Sequence, residues 1–482
     1  MLSSAGVSSL LTERVGRWEV LLRKAAYDPR ETQLLCTMLT EGARAGVLPT
    51  LQGRLVVRRS VANSQSAYSH EAVVDAYLER EVVDLGRVLR LGQTLPEQWK
   101  EPYVSPVAVI PKPRSEKFRL IHNLSSGGRH SVNERIPVEL GYVQYITHRD
   151  IAVKLLSLGQ GVWLFSFDVE DAFRHIPVHP DDWQYFLILW KGTLYADKRV
   201  GFGSCTGPAH YDRLGRALVA IMAHQGVDLM RMVDDHLGSG ATQGQCGERQ
   251  TRAHALLAFL GLPRAVHKDV DPTHVVDFTG IRWDTAEMLA SIPEAKWCFM
   301  VAEVQGVVDA GRASLDQLRS VVGRLMNVVT IVPRGKAHLQ ACYALIAEAT
   351  ESAGVGGGPR GRSASSRERA LTPVVLGELA WWRRSLGSAY ARSPRRPVAH
   401  IVSGQTCELD PALPPVTCPC DASGKALGAV WGQSWAVHLV PAGLGVGLLG
   451  EVGSTYVELC VLREETLEAM FNQVVKYLFY MG

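Results

Sequence analysis

The stretch WLFSFDVEDAFRH, residues 163–175, and the stretch MRMVDDHL, residues 230–237, decide how this chain is read. In the first, an apolar run from Trp163 to Phe167 ends on Asp168, as a buried strand does. In the second, the pair Asp234-Asp235 sits between short apolar flanks. Taken singly, each is ordinarily a turn or a cap. Together they offer three carboxylates that one sheet could bring to one edge. Three anions in one place repel strongly unless cations neutralise them. Mg²⁺ suits such a set, because it takes oxygen ligands and keeps sites open for phosphate. Two such ions about 4 Å apart can activate a 3′-hydroxyl and stabilise a leaving pyrophosphate. That is the chemistry of nucleotidyl transfer.

Around these stretches the pattern alternates between short strands and helices. From His70 to Leu91 apolar residues fall at helical spacing, which predicts a helix. Pro102, Pro106, Pro111 and Pro113 punctuate β-rich runs such as Val107 to Ile110. Leu187 to Trp190, then Lys191-Gly192, then Thr193 to Tyr195 reads as a hairpin. Val275 to Trp283 reads as one more strand. After Pro293 the pattern turns helical, with Leu315, Leu318, Val322, Leu325 and Val329 at three- and four-residue steps. Residues 354–366 are rich in Gly, Ser and Arg and read as a linker. A helix follows around Glu378 to Trp382, and a β-like segment begins near Thr417. Residues 1 to about 65 are weakly patterned.

A chain of 482 residues, 46% hydrophobic and 21% charged, is too long for one compact domain and too apolar to be disordered. The net charge of +3 announces no partner. Its distribution says more: residues 291–400 carry 15 Lys/Arg against 8 Asp/Glu, and residues 401–482 carry 3 against 8. A basic segment of that kind suits a phosphate backbone, though it equally suits a solvated helical face. Nine scattered cysteines show no disulfide or zinc spacing. With no signal peptide and no apolar run of about 18 residues, the expectation is an intracellular protein, in cytoplasm or nucleus, with no membrane span.

Residues 61–350 resemble reverse transcriptases of retrotransposons, closest to the tyrosine-recombinase (DIRS- and Ngaro-like) group. The resemblance runs through successive blocks in the family's order. SPVAVIPKP at 105–113 and FRLIHNLS at 118–125 resemble the fingers strands, and the segment before them carries Glu79 and Glu81. The resemblance implies that Lys112 and Arg119 touch an incoming triphosphate. It makes Asp168, Asp234 and Asp235 catalytic metal ligands, joined by the Val169 carbonyl. Phe173 resembles the ring that excludes a ribose 2′-hydroxyl. Glu170 and Asp171 lie in the same block, and only the resemblance removes them from the ligand set. VGFGSCTGPAHYDRL at 200–214, with Phe202 and Gly203, resembles the template-and-nucleotide block. Met232 stands where the family has an aromatic. Lys268 in LGLPRAVHK would act near the leaving pyrophosphate. DFTGIRWD at 277–284, with Phe278 and Gly280, resembles the primer grip, and residues 320–340 resemble thumb and connection helices whose Arg324, Arg334 and Lys336 could follow a duplex backbone.

CDASGKALGAVWG at 420–432 resembles the first strands of RNase H. Asp421 and Glu458 match two of its metal carboxylates. The further aspartate of that family is absent after Glu458, so the resemblance implies a truncated segment with doubtful activity.

The expected fold is α/β (α+β), a right-hand polymerase with fingers, an antiparallel-sheet palm and a helical thumb. The expected divisions are an N-terminal extension and lead-in helix (1–97), fingers and palm (98–285), thumb and connection helices (286–352), a linker (353–372), a connection (373–414) and the truncated RNase H-like segment (415–482). The expected activity is RNA-directed DNA polymerisation, with two Mg²⁺ ions, or Mn²⁺ in their place. The expected partners are an RNA or DNA template with its primer, and dNTPs. A palm fold that has decayed or been domesticated into a nucleic-acid-binding scaffold is the alternative. An RNA-directed RNA polymerase is disfavoured by Phe173 and by the primer-grip-like block. The oligomeric state stays open.

Overall fold

The computed structural model describes residues 10–49, 55–111, 118–332, 334–354, 368–387 and 393–403, and three short strands at 420–422, 426–431 and 434–439. The chain divides into two compact units, Met1–Met288 and Leu289–Gly482. Each mixes helices with antiparallel sheet.

The first unit contains strands β1 (Val88–Gly92), β2 (Val107–Pro111), β3 (Phe118–His122), β4 (Trp163–Asp168), β5 (Leu187–Trp190), β6 (Thr193–Asp197), β7 (Leu229–Met232), β8 (Asp235–Gly240), β9 (Val270–Thr273), β10 (Val275–Phe278) and β11 (Ile281–Asp284). Its central sheet has the order β7-β8-β4-β9. β4 is antiparallel to both neighbours, and its last residue, Asp168, stands directly opposite Asp235. The side chains of β4 explain its place. Leu164, Phe165 and Phe167 are almost fully buried, which a strand covered on both faces requires. Gly238 lies in register with Phe165, where an added Cβ would sit 2.2 Å from the ring.

Two long helices close over this sheet. Gly207–His224 buries Tyr211, Leu214, Leu218, Ile221 and Met222, one face of a helix at three- and four-residue steps. Gln243–Leu260 starts where the Thr242 hydroxyl accepts the Gln245 amide at 3.2 Å. It stops at Gly261, which takes a left-handed φ of 88°.

Residues 1 to about 65, weakly patterned in sequence, hold helices Val15–Lys24 and Pro29–Glu41. Trp18, Leu22, Leu35 and Leu39 from these helices are fully buried in the same core as Phe165 and Leu218. The Trp18 indole N–H donates to the Leu260 carbonyl at 3.1 Å. This segment is therefore part of the first unit's core.

The helix expected over 70–91 is shorter. It runs over Glu71–Glu79, passes into a π-helical turn at Arg80–Asp84, and gives way to β1. Gly86, at φ 57°, breaks it. β1, β6 and β5 form one sheet, and β5 and β6 are the expected hairpin, turning at Lys191 and Gly192 with φ of 47° and 75°. The single strand expected at 275–283 is instead a hairpin of β10 and β11, turning at Thr279 and Gly280.

In the second unit, helix Leu315–Asn327 buries Leu315, Leu318, Val321, Val322 and Leu325 and ends before Val329. Helix Pro373–Gly387 buries Trp382, whose ring lies against Gly335. The Glu378 carboxylate accepts the Ala341 and Cys342 amides at 3.0 and 3.1 Å, which caps helix Gln340–Gly354. Strands Cys420–Ala422, Ala426–Trp431 and Ser434–Leu439 form an antiparallel meander. Of the linker expected at 353–372, residues 355–367 lie outside the described residues, and Arg369–Ala370 forms a short strand.

Candidate active site

The β7–β8 hairpin presents the Asp234-Asp235 pair. Met232 and Asp235 close its two-residue turn, and Val233 holds a φ of 55°. A β-branched residue in the left-handed region is strained. The surroundings impose it. The Val233 carbonyl accepts Arg231 Nη1 at 3.1 Å, and Arg231 also pairs with Asp212 on helix Gly207–His224. The Asp234 carbonyl accepts the Val169 amide at 3.1 Å and lies 2.9 Å from His236 Nδ1. His236 is fully buried and stacks on Phe167 with ring centroids 4.7 Å apart. Burial pushes its pKa down to about 3, so it serves as a neutral spacer.

Asp168, Asp234 and Asp235 thereby converge: each offers a carboxylate oxygen within 4.8 Å of the others. Asp168 is buried, Asp234 half-buried and Asp235 exposed. Burial, and then the Asp168 charge, raise the pKa of Asp234. Burial, then the Asp234 charge, push Asp235 up to about 7. Such carboxylates hold surplus negative charge that a divalent cation would relieve. Lys268 partly does so, its Nζ donating to Asp168 Oδ2 at 2.8 Å. Burial opposes the Lys268 charge, but Asp168 more than compensates, and its pKa is raised.

The other two carboxylates of the block separate from these three. The strand ends at Asp168, so the alternation that would aim Glu170 the same way does not reach it. Glu170 is exposed, and its carbonyl lies 2.7 Å from His175 Nε2. Asp171 has a φ of 54° and pairs with Arg87 at 3.0 Å and Arg80 at 3.2 Å. Burial raises its pKa, but the arginines prevail and hold it below the ordinary carboxylate value.

Phe173 lies on the turn Ala172–His175, with its ring 5.6 Å from Phe202 and 5.4 Å from buried Tyr211. Phe202 is 43% exposed. Gly203, at φ 136°, passes so close to the His122 carbonyl that a Cβ would sit 2.2 Å from it. Asn133 fastens this loop, donating to the Gly203 carbonyl at 2.8 Å and accepting the Cys205 amide at 3.1 Å. Arg119 is exposed on β3, and its charge pulls the Asp234 pKa down. Lys112 lies outside the described residues. Phe278 is a core residue, and Gly280 is a turn residue with φ 78°. Any grip by this hairpin therefore falls to backbone and not to the Phe278 ring. Arg324 pairs with Glu303 at 2.8 Å. Asp421 lies on Cys420–Ala422, whereas Glu458 is outside the described residues.

Arg231, His236 and Tyr211, which build the wall behind the carboxylates, carry no motif. Only their placement beside the Asp-Asp pair, or at one helical face, could have marked them.

No protein-family model and no curated protein matches the chain. Solved structures do. A foamy viral protease-reverse transcriptase (dRH) in complex with double-stranded DNA has a TM-score of 0.51 at 14% identity, over 97% of this chain and 80% of that one. The foamy viral protease-reverse transcriptase in complex with an RNA/DNA hybrid has a TM-score of 0.52 at 15% identity, over 96% of this chain and 56% of that one. Among the described helices none is long and apolar enough to cross a membrane. At this identity the likeness is one of architecture: the chain has a reverse-transcriptase-like fold.

Proposed function

We propose that the chain is an RNA-directed DNA polymerase of a retrotransposon, built as fingers, palm and thumb, that extends a primer by two-metal nucleotidyl transfer. One observation carries the reading. Asp168 and Asp235 face each other across adjacent strands, and Asp234 on the hairpin turn completes a set with oxygens within 4.8 Å. Three hard oxygen donors, one with its pKa raised to about 7 by burial and then by the neighbouring Asp234 charge, fit Mg²⁺ or Mn²⁺. Asp168, Asp234, Asp235 and the Val169 carbonyl would hold the ions. Bound there, the ions would supply activation of the primer hydroxyl and charge neutralisation at the leaving group.

The remaining roles belong to the chain's own side chains. Lys268 stands beside Asp168, where it would meet the departing pyrophosphate. Arg119, whose field reaches Asp234, would meet the triphosphate, with Lys112 from the same segment. Phe173, between Phe202 and Tyr211, would leave no room and no hydrogen-bond partner for a 2′-hydroxyl. The structural neighbours hold double-stranded DNA and an RNA/DNA hybrid, and we extend that class of ligand to this chain. Residues 415–482 enter the proposal as an RNase H-like segment by resemblance alone.

Primer extension on an RNA template with dNTPs and Mg²⁺ tests the reading. The wild type should extend, and Asp234→Ala/Asp235→Ala should fall to background while still binding the primer–template. A folded wild type that binds primer–template and adds no nucleotide would sink the enzyme reading and leave a nucleic-acid-binding scaffold.

A further inference from the structure

The turn that carries Phe173 hangs on a buried cluster of charges drawn from several segments of the first unit. Arg174, the next residue, has a side chain only 3% exposed. Its Nη2 donates to Glu81 Oε2 at 2.7 Å, and its Nη1 donates to Asp197 Oδ2 at 2.6 Å and to the Arg199 carbonyl at 3.3 Å. The Glu81 and Asp197 side chains are themselves 2% and 5% exposed. Glu81 comes from the π-helical turn Arg80–Asp84, and Asp197 ends β6. From the same lead-in, Arg87 bridges Asp171 at 3.0 Å and Glu81 at 3.8 Å. The run from Asp168 to Arg174 is thus tied once at Asp171 and again at Arg174.

The loop that carries Phe202 starts beside the same cluster, and the helix after it approaches Phe173. A Cβ at Gly201 would lie 3.6 Å from Asp197 Oδ2 and 3.9 Å from Arg174 Nη1. A Cβ at Gly207 would lie 3.6 Å from Phe173 Cδ1. The guanidinium and its two carboxylates thus anchor the turn at the residue next to Phe173, while Phe202, Gly207 and Tyr211 lie against the ring itself. A guanidinium fork fixes direction as well as distance. An apolar contact of the same area would hold the turn but let the ring slide, whereas a buried charge that slips from its partner is left unpaired in a low dielectric.

We infer that the Glu81–Arg174–Asp197 cluster, braced by Arg87 on Asp171, is a positioning device that sets the depth of the Phe173 ring and thereby the selection of deoxy- over ribonucleotides. This rests on reading the site as one that takes nucleoside triphosphates. Glu81, far from Asp168 in sequence, becomes a specificity determinant without touching the nucleotide.

The test is made on the full chain with a dideoxy-terminated primer–template and Ca²⁺, so that no turnover is needed. Fluorescent deoxy- and ribonucleoside triphosphates are titrated, and the ratio of their affinities is read. Glu81→Gln and Asp197→Asn keep the side-chain shape but remove the charge and replace one accepting oxygen by an amide donor, and should lower that ratio by about tenfold. Phe173→Ala should lower it alone, and Glu81→Gln added to Phe173→Ala should lower it no further, because both act through one ring. Arg87→Gln, whose side chain is 13% exposed, should give a smaller loss and serves if a buried variant fails to fold. Folded variants that keep the wild-type ratio, effects that simply add to Phe173→Ala, or a wild type that binds both sugars alike would each overturn the proposal. Primer extension separates this from the parent reading. Extension with an unchanged ratio in the variants strikes the positioning role alone. Absent extension with the expected ratios strikes the polymerase reading alone.

Discussion

His175 and His210 are held neutral by burial, and each pKa is driven down to about 4. For His175 the Glu170 carbonyl and the Asp171 charge pull upward, but desolvation wins, with Arg87 and Arg199 adding to it. An unfolded histidine takes up its proton near pH 6.5. Between those values the unfolded chain binds more protons than the folded one, so stability falls as pH falls. The contribution is complete above about pH 6.5 and is gone by about pH 4, worth at most about 3 kcal/mol per residue. Thermal unfolding from pH 7 to pH 4.5 should show this loss. His175→Gln, which keeps a donor for the Glu170 carbonyl, should flatten the slope by up to one proton. An unchanged slope would show that His175 is already charged in the fold. The same desolvation acts on the carboxylates with the opposite sign, raising Asp234 and Asp235. Burial thus keeps these histidines uncharged and raises the pKa of the Asp234 and Asp235 carboxylates.

Helix Val15–Lys24 puts Trp18 into the core that supports β4, with its indole N–H bound to the Leu260 carbonyl. Trp18→Ala should cost roughly 3–5 kcal/mol, the usual penalty for emptying a large buried site. It should do so without altering the carboxylate cluster. A stability loss below about 1 kcal/mol in chemical denaturation would show that this helix is only laid against the unit. Sequence reading missed this element because it is only ten residues long and its apolar residues, Val15, Trp18 and Val20 to Leu22, are interleaved with Gly, Arg, Glu and Lys. It read the strand ending on Asp168 well, because a strand covered on both faces writes a largely apolar run, and it found the Asp234-Asp235 pair by its short apolar flanks. The Lys191-Gly192 hairpin was legible for a similar reason: a two-residue turn with both φ positive leaves a Gly signature. Thr279-Gly280 carries the same kind of turn, but the apolar residues on either side hid it as one strand. The stop at Gly86 was not legible, because an isolated glycine within a helical pattern does not by itself end a helix. Nor was the Glu81–Arg174–Asp197 cluster, since a buried charge looks like a surface one until its partners are placed.

Across the whole molecule, the net charge of +3 conceals a division: residues 291–400 hold 15 basic against 8 acidic groups, and residues 401–482 hold 3 against 8. Part of the basic excess is already engaged in the second unit. Arg324 pairs with Glu303 at 2.8 Å, Arg383 with Asp309 at 3.4 Å, and Arg396 binds the Thr330 carbonyl at 2.7 Å. The cations left to meet phosphate are fewer than the composition suggests. Affinity for a primer–template should still be governed by counterion release, because a copying enzyme must accept any base sequence and so must hold the backbone. A footprint of about six phosphates predicts a roughly thousandfold loss of affinity between about 50 and 200 mM salt. The slope should be the same for templates of unrelated sequence and for Asp234→Ala/Asp235→Ala, which removes no cation that neutralises phosphate. Filter binding or fluorescence anisotropy across that range measures it. Salt-independent binding, or a slope that changes with base sequence, would mean that the chain reads bases and would count against a template-copying role.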